Sequence, residues 1–442
     1  MDRTVLLRSF ALGLGLALFL GLTVTGSPAQ AHPTAPAADL SALRPEDPVE
    51  VPGSALPDLA GAPIADLALY AFDGSAWSPI PFQIDERDGA NTYVANEDGL
   101  LDANDVLVFM ARDLGSTAGL AEWPADAQAQ DANRQVIQTS DPLSGAAGTV
   151  YLYRSATLAR SATSYVAWDQ AGQTVTTPAY VAAFDPDTFI GLADLSLHGG
   201  PDVLDRQKIR VSGKVANVFP FSLNEEEVGE AVGIPATVTL TIQGPIRAMN
   251  GGSTLNVIFY RERFAFETVL DTTGLQLPGV IESLRTSLDL NDPATTGLTR
   301  FFDSNGSDVA IDGQNDSVAA SPLFQWVQMS GAAAGPGGMV VAFPNLDLGG
   351  SSAVNYYKDD GAVDNADTGD KRSFADTGLT VNAPGSRTAI TLAGLILPQG
   401  ASANVGQSVF SRTVTPITVQ VSALPYLDPS LLQELYVPLI LR

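Results

Sequence analysis

Two strand patterns flank a polar, turn-rich segment in residues 80–115, IPFQIDERDGANTYVANEDGLLDANDVLVFMARDLG. Ile80, Phe82 and Ile84 alternate with Pro81, Gln83 and Asp85, the period-two pattern of a strand with one face buried. A run rich in Asn, Asp and Gly follows. Residues 106–111 are then continuously apolar and bounded by charge, which predicts a strand buried on both faces. Two such strands are not stable alone, so the block predicts docking onto a larger β-structure. Similar signals recur along the chain, separated by Gly, Pro, Asn and Asp turns. Residues 255–270 read as one long strand, with Ile258, Tyr260, Phe264 and Phe266 on one face and Val257, Phe259, Arg261, Arg263 and Glu267 on the other. Only residues 281–290 carry a sustained 3.6-residue period. The expected class is all-β: a large antiparallel β-sandwich with smaller flanking β-regions.

The first residues predict export. Arg3 and Arg8 precede an uncharged apolar run over 10–24, and Ala29-Gln30-Ala31 supplies a small-x-small cleavage pattern. The run is shorter than the roughly 20 residues a membrane-spanning helix needs. The expected organisation is a signal peptide (1–31), a flexible leader rich in Ala and Pro (32–57), an N-terminal β-region (58–160), the central sandwich (161–345), a C-terminal β-region (346–430) and a tail (431–442). The product is expected to be secreted or held at the cell surface, with no transmembrane segment after cleavage.

Charge narrows the partners. The chain has 23 Lys and Arg against 49 Asp and Glu, and cleavage after Ala31 leaves a net charge of −27. Such a surface repels nucleic acid and anionic lipid and favours cations. With no cysteine and only two histidines, thiol catalysis and Cys/His zinc sites are excluded.

Three acid-rich clusters are candidate calcium sites, because calcium takes six to eight oxygen ligands. The first holds Asn96, Asp98, Asp102, Asn104 and Asp105. The second holds Asp303, Asn305, Asp308 and Asp312. The third holds Asp359, Asp360, Asp364, Asp367 and Asp370. None has EF-hand spacing, and Asn305-Gly306 between apolar runs is also a hairpin-turn signal. Glu225-Glu226-Glu227, in an expected loop, is a candidate for carboxylate catalysis only if a partner carboxyl comes from elsewhere.

PFQIDERD (81–88) and GLLDANDVLVFMARDLG (99–115) resemble a block near the start of uncharacterised exported bacterial proteins. The order of IRVSG, SLNEEEVG, TIQGPIRAM and FYRERFAFET resembles large β-sandwich proteins of the galactose-mutarotase-like kind, a fold that several polysaccharide lyases use. The resemblance implies a β-sandwich and carbohydrate chemistry. A lyase needs a base for the proton α to a uronate carboxylate and a cation to stabilise the resulting anion. His198 or Tyr260 would be the base, and Arg247, Arg261 and Arg263 would grip the carboxylate. The mature chain departs from the pattern in offering only His198 and the near-terminal His32.

Trp77, Trp123, Trp168 and Trp326, with Tyr356 and Tyr357, are candidate sugar-stacking residues, although Trp168 and Trp326 lie in apolar strands that predict a core position. The leading expectation is a secreted or cell-surface binding protein for extracellular polysaccharide, stabilised by calcium. The alternatives are a carbohydrate-active enzyme, lyase or mutarotase-like, and a structural envelope protein. Convergence of His198, Arg247 and Arg261 in one groove separates the enzyme from the others.

Overall fold

A computed structural model describes residues 39–184, 191–215, 221–227, 237–250, 257–271, 279–332, 335–385 and 387–428. The signal-peptide expectation, His32 and the tail lie outside the described residues. The described residues are mainly β, in five antiparallel sheets. Four of them pack as successive layers.

The outermost layer is a five-stranded sheet, in spatial order Thr418–Leu424, Arg134–Ser140, Ala147–Arg154, Leu67–Phe72 and Trp77–Pro79. Beneath it lies a three-stranded sheet of Pro48–Pro52, Val106–Met110 and Phe82–Asp85. Val106–Met110 is buried throughout, as its continuous apolar run predicts. Its side chains alternate between two cores. Leu107 and Phe109 pack with Leu67, Ile137 and Leu152 above. Val106, Val108 and Met110 pack with Ile246, Met249 and Ile258 below.

Below that sits a nine-stranded sheet, running from Ile242–Gln243 at one edge to Asp308–Ala310 at the other. Its far face meets a second five-stranded sheet, Phe221–Glu227, Leu204–Val215, Gly279–Leu290, Ser373–Asn382 and Ser352–Asp360, and a four-stranded sheet spanning residues 167–197. Phe259, Phe264, Phe301, Met329 and Ile390 meet Leu288, Leu379, Val381, Tyr180 and Leu195 there, forming the main core. The helix Gly406–Val414 covers part of the other face of the nine-stranded sheet, with Val409 packed beside Trp326 and Leu395. Gly406 is required at that contact, since a Cβ there would lie 2.0 Å from the Trp326 ring.

Several sequence expectations change. Residues 39–57 are folded: Leu40, Val49, Val51 and Leu56 are buried, and these few apolar side chains hold the segment expected as a leader. Residues 255–270 are not one strand. Val257–Phe259 and Arg263–Asp271 form a hairpin with Phe259 opposite Phe264, so Tyr260, Arg261 and Glu262 make the turn. Ile258 and Tyr260 therefore face the inter-sheet core of Val106, while Phe264 and Phe266 face the main core. Residues 281–290 are strand, within Gly279–Leu290. Glu225, Glu226 and Glu227 end the strand Phe221–Glu227 rather than sitting in a loop. Among the described residues, those after 345 form no sheet of their own: Arg387–Leu397 lies inside the nine-stranded sheet, and Thr418–Leu424 pairs with Arg134–Ser140.

Candidate functional site

Arg247 and Tyr260 come together as the resemblance implied, but in a buried junction. The Gly-Pro-Ile-Arg turn docks on the strand Phe82–Asp85. Gln83 Oε1 accepts the backbone N–H of Ile246 and of Arg247, each at 2.9 Å. A Cβ at Gly244 would fall 2.3 Å from that oxygen. The Arg247 Nε donates to Asp85 at 2.6 Å, and Nη1 donates to the Tyr260 hydroxyl at 2.9 Å and to Glu50. Burial raises the Tyr260 phenol further above its ordinary range, opposed by the Arg247 charge. Burial also raises the Asp85 carboxyl, against the pull of Arg247. A buried tyrosine held protonated beside a guanidinium paired with Asp85 and Glu50 is a joint between sheets, not a ready base.

Arg261 turns to a second cluster. Arg112, at the end of the Val106 strand, and Arg261 both pair with Glu262, Arg112 at 2.6 Å. Both guanidinium groups lie over the Tyr165 ring, at 5.8 and 5.6 Å from its centroid. The Tyr165 hydroxyl donates to Asp113 at 2.8 Å. Burial pushes the Asp113 carboxyl up to about 6, opposed by the Tyr165 hydrogen bond and by the two arginines. Burial and the neighbouring Arg112 charge lower the Arg261 pKa. These arginines remain one-quarter exposed. Arg112, Asp113 and Tyr165 were not singled out in the sequence. Their only signal was the charged Arg-Asp pair that ends the apolar run.

Arg263 and His198 go elsewhere. Arg263 pairs with Asp47 and reaches Thr413 at 3.2 Å. His198 sits in a turn with φ +51, its Nε2 2.9 Å from the Leu397 carbonyl oxygen. It lines a cleft of about 640 Å³ formed by residues 197–201, 294–297, 335–336 and 399–400, and no other titratable side chain lines it. His198, Arg247 and Arg261 thus do not share one groove.

The acidic clusters bind their own backbone. Asp105 accepts the N–H of Arg87 at 3.0 Å and of Asp102 at 2.7 Å, while the Asn104 carboxamide donates to the Arg87 and Asp88 carbonyls. Asp303 accepts the N–H of Asn305 and of Ser307, closing the Asn305-Gly306 hairpin, and Asp308 pairs with Arg300. Asp359 accepts the N–H of Asp312, Gly313 and Ala375, and Asp360 and Asp364 close turns onto Ala362 and Ala366. Among the described residues no group of three or more His, Cys, Asp or Glu side chains is placed to hold a metal ion.

The aromatic residues form a more open feature on the outer face of the outermost sheet. Tyr70, Phe72, Tyr151 and Tyr153 project there because they alternate with core residues on their strands. Trp77 lies 5.9 Å from Tyr153 between ring centroids, Tyr153 lies 5.6 Å from Trp123, and Trp123 lies 5.4 Å from Tyr426. Tyr153 is buried, whereas Trp77, Trp123 and Tyr426 are half-buried, and Leu120 beside Trp123 is exposed. The Arg134 guanidinium sits 4.7 Å from the Trp123 ring centroid and fixes that rim. Trp326, by contrast, is buried, and Trp168 packs edge-on against Phe184. Tyr426 and Tyr153 had no sequence signal that distinguished them from ordinary strand residues.

No family model matches the chain, and no curated protein does. Among solved structures, an alpha-mannosidase from Enterococcus faecalis V583 is similar at 12% identity and a TM-score of 0.39, covering 82% of this chain and 41% of that one. A protein in glycosyl hydrolase family 38, also from Enterococcus faecalis, is similar at 10% identity and a TM-score of 0.40, covering 89% and 49%. This chain spans under half the length of each. A likeness this distant assigns no activity.

Proposed function

We propose that this chain is an exported carbohydrate-binding protein that presents the Trp77, Trp123 and Tyr426 rings, seated around the buried Tyr153, to a polysaccharide. The observation that carries the reading is that grouping: three half-buried rings around a buried fourth, on the outer face of a sheet. Aromatic faces bind the apolar C–H faces of sugars, and several such rings on one face suit one extended chain. A basic leader, an apolar run and a small-x-small motif at the start of the sequence support export. The test is binding of the mature protein to a panel of neutral and uronate polysaccharides by affinity electrophoresis, repeated with Trp123→Ala. Retention on one polymer that Trp123→Ala abolishes supports the reading. No retention on any polymer removes it.

A second reading is favoured by one specific observation, the cluster of Asp113, Tyr165, Arg112 and Arg261. A carboxyl with a pKa of about 6, hydrogen-bonded to a phenol under two guanidinium groups, has the parts for acid–base work on an anionic sugar. Under this reading the protein is a carbohydrate-active enzyme, and Arg112 joins Arg261 in place of the Arg247 and Arg263 of the sequence expectation. Shortening of a polymer on incubation, lost in Asp113→Asn, would establish it. A polymer that is bound but never shortened leaves binding as the function.

A further inference from the structure

The second five-stranded sheet buries charge on both sides of its third strand, Gly279–Leu290. On Gly279–Leu290, Leu288 and Leu290 enter the main core, while Asp289 points to the opposite face, where Lys208 also meets Asp367. There the Lys208 Nζ, on Leu204–Val215, lies 2.5 Å from Asp289 Oδ2, on the adjacent strand. Asp376, on the next strand, Ser373–Asn382, lies 4.0 Å from the same nitrogen. Lys208, Asp289 and Asp376 are 0%, 0% and 1% exposed. A primary amine, a carboxyl and a second carboxyl thus meet on three neighbouring strands, out of reach of solvent.

We infer that Lys208 and Asp289 are joined by an intramolecular amide bond, formed with Asp376 as the acid–base partner. The Nζ lies close enough to place the Asp289 carboxyl carbon at roughly 3–3.5 Å, the range of a near-attack geometry. Burial lowers the Lys208 pKa, but Asp376 and Asp289 outweigh it and hold the ammonium above its ordinary range, so the amine becomes a nucleophile only when a proton passes to a neighbouring carboxylate. The Nζ lone pair attacks Cγ, the Cγ–N bond forms, and the Cγ–Oδ2 bond breaks. The two protons that leave the ammonium depart with Oδ2 as water, and Asp376 relays one of them. Ammonium plus carboxylate gives amide plus one water, so no oxidant or cofactor enters.

Asp367 is the competing carboxyl, at 2.8 Å from the same nitrogen. The Lys208 contact and the Arg210 charge hold it below its ordinary range, as an ion and a poor electrophile. Asp289 has the reverse setting. Burial first, and the Asp376 charge second, hold its carboxyl well above the ordinary range, and Oδ1 accepts the Phe374 N–H at 2.9 Å, which polarises the carbonyl. The chain has no cysteine, so such a bond would be its covalent brace between strands.

The test is mass spectrometry of the full chain. The intact mass is expected one water below the sequence sum. A tryptic digest is expected to be uncut at Lys208 and to hold a branched peptide joining Lys208 to Asp289. Asp376→Asn is expected to restore the missing water and remove the branched peptide, with circular dichroism confirming that the sheets persist. Lys208→Arg keeps the charge and also restores the water. An unbridged wild-type chain, with Lys208 open to trypsin, overturns the proposal. So does a branch to Asp367, or a bridge that survives Asp376→Asn.

Discussion

Arg247 and Asp85 form an ion pair at 2.6 Å in which neither side chain is more than 2% exposed. It joins the Gly-Pro-Ile-Arg turn of the nine-stranded sheet to the three-stranded sheet above. Gln83, two residues from Asp85, takes two backbone N–H groups of the same turn. The two short motifs that carried the family resemblances are therefore halves of one joint.

Removing the arginine strands a buried carboxylate. Breaking a buried pair from one side costs about 3–5 kcal/mol. Arg247→Ala is expected to lower the chain's unfolding free energy by that amount in a urea titration. Arg300→Ala, which removes a half-exposed partner of Asp308, is expected to change it little. Equal midpoints for wild type and Arg247→Ala would show that the joint does not hold the layers together.

Trp123 is the rim residue whose loss tests binding with least damage to the fold. Its ring touches Tyr153 and Tyr426 from a half-buried position. Trp123→Ala is expected to weaken polysaccharide affinity about tenfold, about 1.4 kcal/mol. Tryptophan fluorescence during titration reads both the affinity and the folded state. Unchanged affinity in a folded variant would move the site away from this face.

Asp113 gives stability a pH signature of definite sign. Its folded-state carboxyl titrates at about 6, above the ordinary 3.8, so protonation favours the folded chain. The cost of ionising it is absent below about pH 4 and complete above about pH 6. Asp113→Asn is expected to match wild type at pH 4 and to exceed it by about 3 kcal/mol at pH 7.5. Parallel stability curves from pH 4 to 7.5 would contradict the burial of this group.

The acidic turns are closed by their own N–H groups, as at Asp303 with Asn305 and Ser307 and at Asp105 with Arg87 and Asp102. A chelator is therefore expected to leave the melting midpoint within about 2 °C of that with millimolar calcium. A larger rise with calcium would restore the metal expectation drawn from the sequence.

Local pattern was enough where one residue type decided the outcome. The run 106–110 is the buried strand its apolar continuity suits, and Asn305-Gly306 is the hairpin turn that was one of its two sequence readings. The reversal within 257–271 is invisible to local pattern because it uses Tyr260, Arg261 and Glu262, none of which marks a turn. The helical period in 281–290 was misleading because both faces of that strand are buried, from Leu284 to Leu290, so charge and apolarity no longer report the pleat. Clusters assembled from distant segments left no trace at all. Arg112 meets Arg261, and Lys208 meets Asp289 and Asp376, only once the sheets are in register. The fold class was readable because it is a local property summed many times. The candidate sites were not, because each depends on which strand becomes whose neighbour.

The pairing of Thr418–Leu424 with Arg134–Ser140 ties a late segment to an early one. During synthesis, the Arg134–Ser140 edge must wait unpaired while nearly three hundred further residues are made. A layer begun early is thus among the last to close, and until then its open rim is a template for any passing strand.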